Sequence, residues 1–197
     1  MDTPATVQPA VDEELRQATI EVLRERGWSG LTLERVAEVS GRARSTLWRQ
    51  GLSRDVLIGA LIGELADDFR ETMYPVLTSG GTGRERLQRG LEELCALLER
   101  HLPLMLATDE AFHQQPAPGQ PPSYLHPFIQ FLREGAQDGS LATGGEPVRA
   151  ADIAFNTVAW TYVHLRGRHR WPADETRDRV VDLVLNGIDG AVRKEQP

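Results

Sequence analysis

The sequence predicts an all-α protein, and three observations carry that reading. Apolar residues recur at helical spacing along most of the 197 residues. No run alternates apolar and polar residues as a half-buried strand would. Glycine, proline and small hydroxyl residues fall where helices need ends. Hydrophobic residues make up 40% and charged residues 26%, the balance of a folded chain with a sizeable core.

Taken in order, residues 1–10 are polar, contain proline and read as a frayed tail rather than a signal peptide. A first helix runs from about Asp12 to Arg26, with Leu15, Ala18, Val22 and Leu23 on one stripe. Asp12, Glu13 and Glu14 suit its first turn, and Gly27 stops it. Thr32 is a natural N-cap for a short second helix carrying Leu33, Val36 and Ala37, which ends near Ser40-Gly41. A third helix spans about Ala43 to Gln50, and Gly51 ends it.

Ser53 caps a long fourth helix in which Leu57, Leu61, Leu65, Phe69 and Met73 recur every four residues, with Pro75 as its stop. TSGGTG, residues 78–83, reads as a flexible connection. The fifth helix, about Arg84 to His101, aligns Leu87, Leu91, Leu94 and Leu98. A short helix near Pro103 to Phe112 precedes the proline-rich loop 113–122. A seventh helix spans about Ser123 to Gln137. Two long helices close the chain, one from about Pro147 to Arg166 and the other from about Asp174 to Arg193. The last carries a wide stripe of Val180, Val181, Val184, Leu185, Ile188 and Val192.

Composition excludes several classes. No apolar run approaches the roughly 18 residues of a membrane span. Cys95 stands alone, so no intramolecular disulfide forms, and it reads as a small core residue in a cytoplasmic protein. The five histidines are scattered; His164 and His169 are near each other, but that spacing does not put them on one helix face. With no phosphate loop, paired cysteines or nucleophile elbow, the sequence points away from an enzyme and implies no cofactor or metal.

The net charge of −7 argues against nucleic-acid binding by the chain as a whole, yet the charge is unevenly spread. Residues 41–55, GRARSTLWRQGLSRD, hold Arg42, Arg44, Arg49 and Arg54 against Asp55 alone. Three short helices and a long one, with glycine between the second and third, is the layout of a helix-turn-helix unit. Such a unit lays its third helix in the major groove, so that helix needs an apolar rear and a polar front. Ala43 and Leu47 can face inward, leaving Arg42, Arg44, Ser45, Thr46, Trp48 and Arg49 for DNA. Arginine can pair bidentately with guanine, and serine and threonine reach phosphates or base edges. The alternative is a solvated basic face with Trp48 in the core.

The stretch from Leu15 to Leu57 resembles the N-terminal domain of the TetR/AcrR (tetracycline-repressor-like) regulators. The elements that carry the resemblance are Leu15, Ala18, Thr19, Val22 and Leu23; Gly27, Trp28, Leu31 and Thr32; Leu33, Val36, Ala37, Ser40 and Gly41; Ser45 to Arg49; and Ser53, Arg54 and Leu57. The chain departs from the family pattern at Arg42 and Ala43, and at Gly51 where an aromatic residue is usual. Leu52 is placed to fill the space that residue would occupy.

The resemblance implies a helix-turn-helix DNA-binding domain over 11–56, joined by a long helix to a helical ligand-binding and dimerisation domain within 57–197. It implies that Thr32 caps the second helix and touches phosphate, and that Arg54 also contacts phosphate. The partners it implies are a double-stranded DNA operator, a small-molecule effector and a second copy of the chain. The apolar faces of the last two helices, at Val158, Leu165, Val181, Val184, Leu185 and Ile188, are the expected homodimer interface. Phe69, Met73, His101, Met105, Phe112, Phe128, Trp160 and Tyr162 are the expected ligand pocket. The resulting reading is a repressor released by a small, largely apolar effector. The competing one is a dimeric all-α ligand-binding or protein-interaction module that has lost DNA binding.

Overall fold

Helices and the turns between them account for the fold in a computed structural model of the chain, which describes residues 11–112, 123–142 and 146–193, with 109–112, 123 and 188–193 described at the backbone only. In chain order they are α1 (Glu13–Gly30), α2 (Leu33–Val39), α3 (Arg44–Arg49), α4 (Arg54–Thr78), α5 (Gly83–Arg100), α6 (Leu102–Phe112), a 3-10 turn (Ser123–Leu125), α7 (His126–Asp138), α8 (Pro147–Gly167) and α9 (Ala173–Arg193). The tail expected at 1–10 and the loop expected at 113–122 lie outside the described residues. Among the described residues no strand forms and no helix is long and apolar enough to cross a membrane.

The chain divides into two compact units, Met1–Ala66 with Pro103–Ala117, and Asp67–Leu102 with Pro118–Pro197. The division falls inside α4, later than the 56/57 junction read from the sequence. The reason is the first unit's core, which includes Leu57, Ile58 and Leu61 of α4 and Leu104 and Ala107 of α6 beside Leu15, Val22, Val36 and Leu47. Asp12 caps α1 by accepting a 3.0 Å hydrogen bond from the Leu15 N–H. Gly27, with φ of 65°, breaks the helix where a stop was expected, although a further turn follows to Gly30.

Pro75 does not end α4, which continues to Thr78. In the last turn a missing N–H removes a single ladder bond, and hydroxyls serve nearby carbonyls. Thr78 Oγ1 donates to the Tyr74 carbonyl at 3.0 Å and Ser79 Oγ to that of Val76 at 2.8 Å.

In the second unit α5 packs against α7, α8 and α9. Its start is built, not flexible: Thr82 and Glu85 form a reciprocal capping box. The next two free N–H groups go to the end of α7, Gly83 to Asp138 Oδ2 at 2.7 Å and Arg84 to Ser140 Oγ at 3.1 Å. That approach leaves no room for a side chain, since a Cβ on Gly83 would stand 2.1 Å from the Gly135 nitrogen. Behind it, Leu87, Leu91, Leu94 and Leu98 are buried as the period predicts. Cys95 is fully buried, and burial pushes its thiol up to about 12.

Asp68 joins the second half of α4 to the end of α5. Arg100 donates to it from Nε at 3.1 Å and a terminal nitrogen at 2.9 Å, and His101 Nε2 lies 2.9 Å from Oδ2. The Arg100 hydrogen bonds, aided by His101, hold the Asp68 carboxyl down to about 2.

These contacts lead to two expectations for stability. Gly83→Ala meets backbone that cannot turn away and should lower unfolding free energy by about 2–3 kcal/mol in urea titrations. Asp68→Asn should cost on the order of 1–2 kcal/mol near neutral pH, after allowance for solvent screening. The folded carboxyl titrates below its ordinary 3.8, so its contribution is present above that value and fades as pH falls through about 2. The gap between wild type and variant should close over that window.

Candidate nucleic-acid interface

A six-residue helix is too short to hold itself in water, and α3 is held by turns on both sides. At the end of α2 the chain enters the left-handed region at Gly41 (φ 66°), and the Arg42 N–H bonds back to the Ala37 carbonyl at 2.9 Å. At the end of α3 the same device recurs at Gly51 (φ 75°), with the Leu52 N–H on the Leu47 carbonyl at 3.1 Å. Both are glycine-closed helix ends of the Schellman type. Leu47 and Leu52 are both buried in the first unit's core, so Leu52 does pack inward beside Gly51. Thr32 caps α2, accepting from the Arg35 N–H at 3.3 Å.

With Leu47 inward, the rest of α3 faces out. Trp48 is 72% exposed, which removes the alternative of a core tryptophan. Arg44, Ser45 and Arg49 are exposed and Thr46 is half-buried. Ala43 is exposed, not inward as expected. It is the N-cap, with extended backbone (ψ 129°), so the helical spacing to Leu47 does not reach it.

The four arginines of the basic stretch are placed differently. Arg49 stays on its own helix, bonding the Ser45 carbonyl at 3.3 Å. Arg44 Nε lies 2.7 Å from Glu34 of α2 while the side chain remains 64% exposed. Arg42 turns away to the start of α1, where it pairs with Asp12 at 2.8 Å and Glu14 at 2.5 Å. Its hydrogen bond holds the Asp12 carboxyl below the usual carboxylate range, and the two acids raise the guanidinium in return. Arg54 stacks on the Trp28 ring, 3.7 Å from its centroid, and donates to the Trp28 carbonyl at 2.7 Å. Thus Arg42 and Arg54 brace α3 and α4 against α1. Sequence reading missed these anchors; the acids at the start of α1 were visible but explained by the helix dipole, and Trp28 carried no partner signal.

The residues expected to line a pocket have these surroundings among the described residues. Phe128 is fully buried with its ring edge against Phe131 and Phe155, Phe69 packs on Tyr124, and Met73 is buried. His101 is turned to Asp68. Met105 belongs with the first unit, and the side chain of Phe112 lies outside the described residues. Tyr162 is buried, donates to Glu99 at 2.9 Å, and lines a cleft of about 380 Å³ with Glu99, Arg100 and Arg177.

The expected interface splits as well. Val158 and Val181 are buried within the second unit's own core. Leu165, Val184 and Leu185 are half-buried, and the Ile188 side chain lies outside the described residues. Among the described residues, outward apolar area on α8 and α9 comes from Val148, Ile153, Trp160 and Leu183. Trp160, expected at a pocket, is 37% exposed in the single chain.

Solved structures match this arrangement over nearly the whole chain. PfmR, a TetR family transcriptional regulator from Thermus thermophilus, aligns with a TM-score of 0.70 at 16% identity, covering 90% of this chain and 99% of its own. A TetR/AcrR family regulator from Thermobifida fusca aligns at 0.64 and 20% identity, covering 89% and 96%. FadR from Bacillus subtilis, solved with stearoyl-CoA, aligns at 0.67 and 19% identity, covering 89% and 98%. The chain has the TetR/AcrR regulator fold. No protein-family model matches the sequence, and no curated protein matches it. Within that fold, α2 and α3 are the helix-turn-helix pair and α4 the long connecting helix.

Arg54→Ala removes a charged hydrogen bond and a ring stack at once. It should destabilise the protein by about 2 kcal/mol, measured by chemical denaturation with Trp28 fluorescence as the local reporter.

Proposed function

We propose that this chain is a cytoplasmic DNA-binding transcription regulator of the TetR/AcrR type, not an enzyme. It acts as a homodimer on a palindromic operator, as a repressor released by a small, largely apolar effector. The observation that carries the reading is the divided surface of α3, with Leu47 fully buried and Arg44, Ser45, Trp48 and Arg49 outward. That is the front and rear a major-groove helix needs. The acidity of the rest of the chain leaves this edge as the surface most attractive to DNA.

In this reading Arg44, Ser45, Trp48 and Arg49 meet the operator, with Thr46 at the edge of that face. Thr32 uses a lone pair on the Arg35 N–H and keeps its own hydroxyl proton for a phosphate. Arg42 and Arg54 position the unit instead of touching DNA, because both are half-buried against α1, Arg42 between two acids and Arg54 on the Trp28 ring, whereas Arg44 and Arg49 remain exposed. One α3 buries too little surface for useful specificity, so two copies would place their helices about 34–36 Å apart, or a multiple of that. The outward faces of α8 and α9, including Ile153, Trp160 and Leu183, suit that self-association, with Leu165, Val184 and Leu185 at its margin. The long apolar chain of the stearoyl-CoA held by FadR supports an apolar effector here. Such an effector needs only to prefer the dimer geometry that cannot span the operator, and linkage then lowers DNA affinity.

Fluorescence anisotropy with DNA flanking the protein's own gene tests the proposal. Binding should weaken steeply with salt, and Arg44→Ala with Arg49→Ala should abolish it. Arg42→Ala should weaken binding while leaving the slope of log K against log salt unchanged. A lost phosphate contact would reduce that slope by about 0.9. Failure to select any fragment from random-sequence DNA would overturn the regulator and favour the module without DNA binding.

A further inference from the structure

His164 and His169 are five residues apart, a spacing that separates two side chains on a continuous helix. Here the helix stops between them. α8 ends at Gly167, and the chain turns back through Arg170, which adopts φ of 56°, an uncommon conformation for a residue with a side chain. The turn is tied down at several points. The Arg168 N–H bonds the His164 carbonyl at 2.9 Å, and the Trp171 N–H bonds that of Leu165 at 3.2 Å. Arg166 donates to the Trp171 carbonyl while its Nε holds Glu99 Oε2 at 2.7 Å. The result brings Nε2 of His169 to 3.1 Å from Nε2 of His164, with both side chains exposed.

We propose that His164 and His169 form a two-imidazole chelate for a first-row divalent transition-metal ion such as Cu²⁺, Ni²⁺ or Zn²⁺. Metal–nitrogen bonds of about 2.0–2.1 Å separate two neighbouring ligand nitrogens by about 2.9 Å at a right angle and about 3.3 Å at the tetrahedral angle. The observed 3.1 Å falls between these. The ring centroids are 4.9 Å apart, whereas a straight N–H···N bond of this length would separate them by about 5.4 Å. The rings are therefore splayed, as two lone pairs converging on one ion require.

Among the described residues no group of three metal-ligating side chains occurs, so the protein supplies two ligands and water completes the shell. Arg168 and Arg170 flank His169, and their charge opposes a cation. Chelation by imidazole, not charge, supplies the affinity, which favours Cu²⁺ over Zn²⁺ and excludes Mg²⁺, an oxygen-seeking ion. The site stands apart from α3 and does not rest on the regulatory reading.

The test uses the untagged full-length chain stripped with chelator. Titration with Cu²⁺ should give an electron paramagnetic resonance spectrum with hyperfine splitting from two imidazole nitrogens. Calorimetry should show Ni²⁺ and Zn²⁺ binding and no heat with Mg²⁺. His164→Gln and His169→Gln should each weaken binding at least about tenfold, while His126→Gln, at another exposed histidine, leaves it unchanged. Equal melting temperatures for the variants would confirm that the fold is intact. Unchanged affinity in both His164→Gln and His169→Gln, or a spectrum without two coupled nitrogens, would overturn the assignment.

Discussion

The outward face of α3 depends on two backbone hydrogen bonds, Arg42 N–H to the Ala37 carbonyl and Leu52 N–H to the Leu47 carbonyl. Each closes a helix across a glycine in the left-handed region. Six residues between those closures have no independent tendency to stay helical. Their orientation is set by the turns and by Leu47, which has no exposed surface. Gly51 thus stands where the closure needs positive φ, and Leu52 provides the apolar packing beside it.

Around that scaffold the arginines divide by partner. The excess of positive charge in residues 41–55 is real as a count, but two of its members face inward to α1. Arg42 is matched by Asp12 and Glu14, and Arg54 lies against Trp28. What remains outward is a smaller patch in which an indole is the largest exposed group. In the proposed interface with DNA, that patch would combine charge attraction with a large rigid ring, and its salt dependence would reflect fewer arginines than the sequence contains.

The second unit shows a similar division between pattern and placement. The stripe on α9 was legible as apolar, and so was that on α8, but periodicity does not say which flank of a wide stripe meets the chain's own core. Val158 and Val181 are buried in it; Ile153, Trp160 and Leu183 keep exposed surface. The start of α5 likewise read as flexible because glycine and threonine are common in loops. In place, Gly83 is the point where α5 comes against the end of α7, and Thr82 is half of a capping box.

The sequence by itself determined the helices, most of their ends and the helix-turn-helix unit, because these rest on local chemistry. Caps, left-handed glycines and the helical period act over a few residues and are written in order along the chain. Leu47 inward and Gly51 as a stop were legible for that reason. Only the tertiary structure decided which arginine meets which acid, which valine meets its own core, and where the chain turns back after Gly167. Those outcomes join residues that are distant in sequence or separated by a helix end, where no period carries over. His164 and His169 illustrate the point: the helical rule keeps them apart, and the turn beyond the helix brings them together.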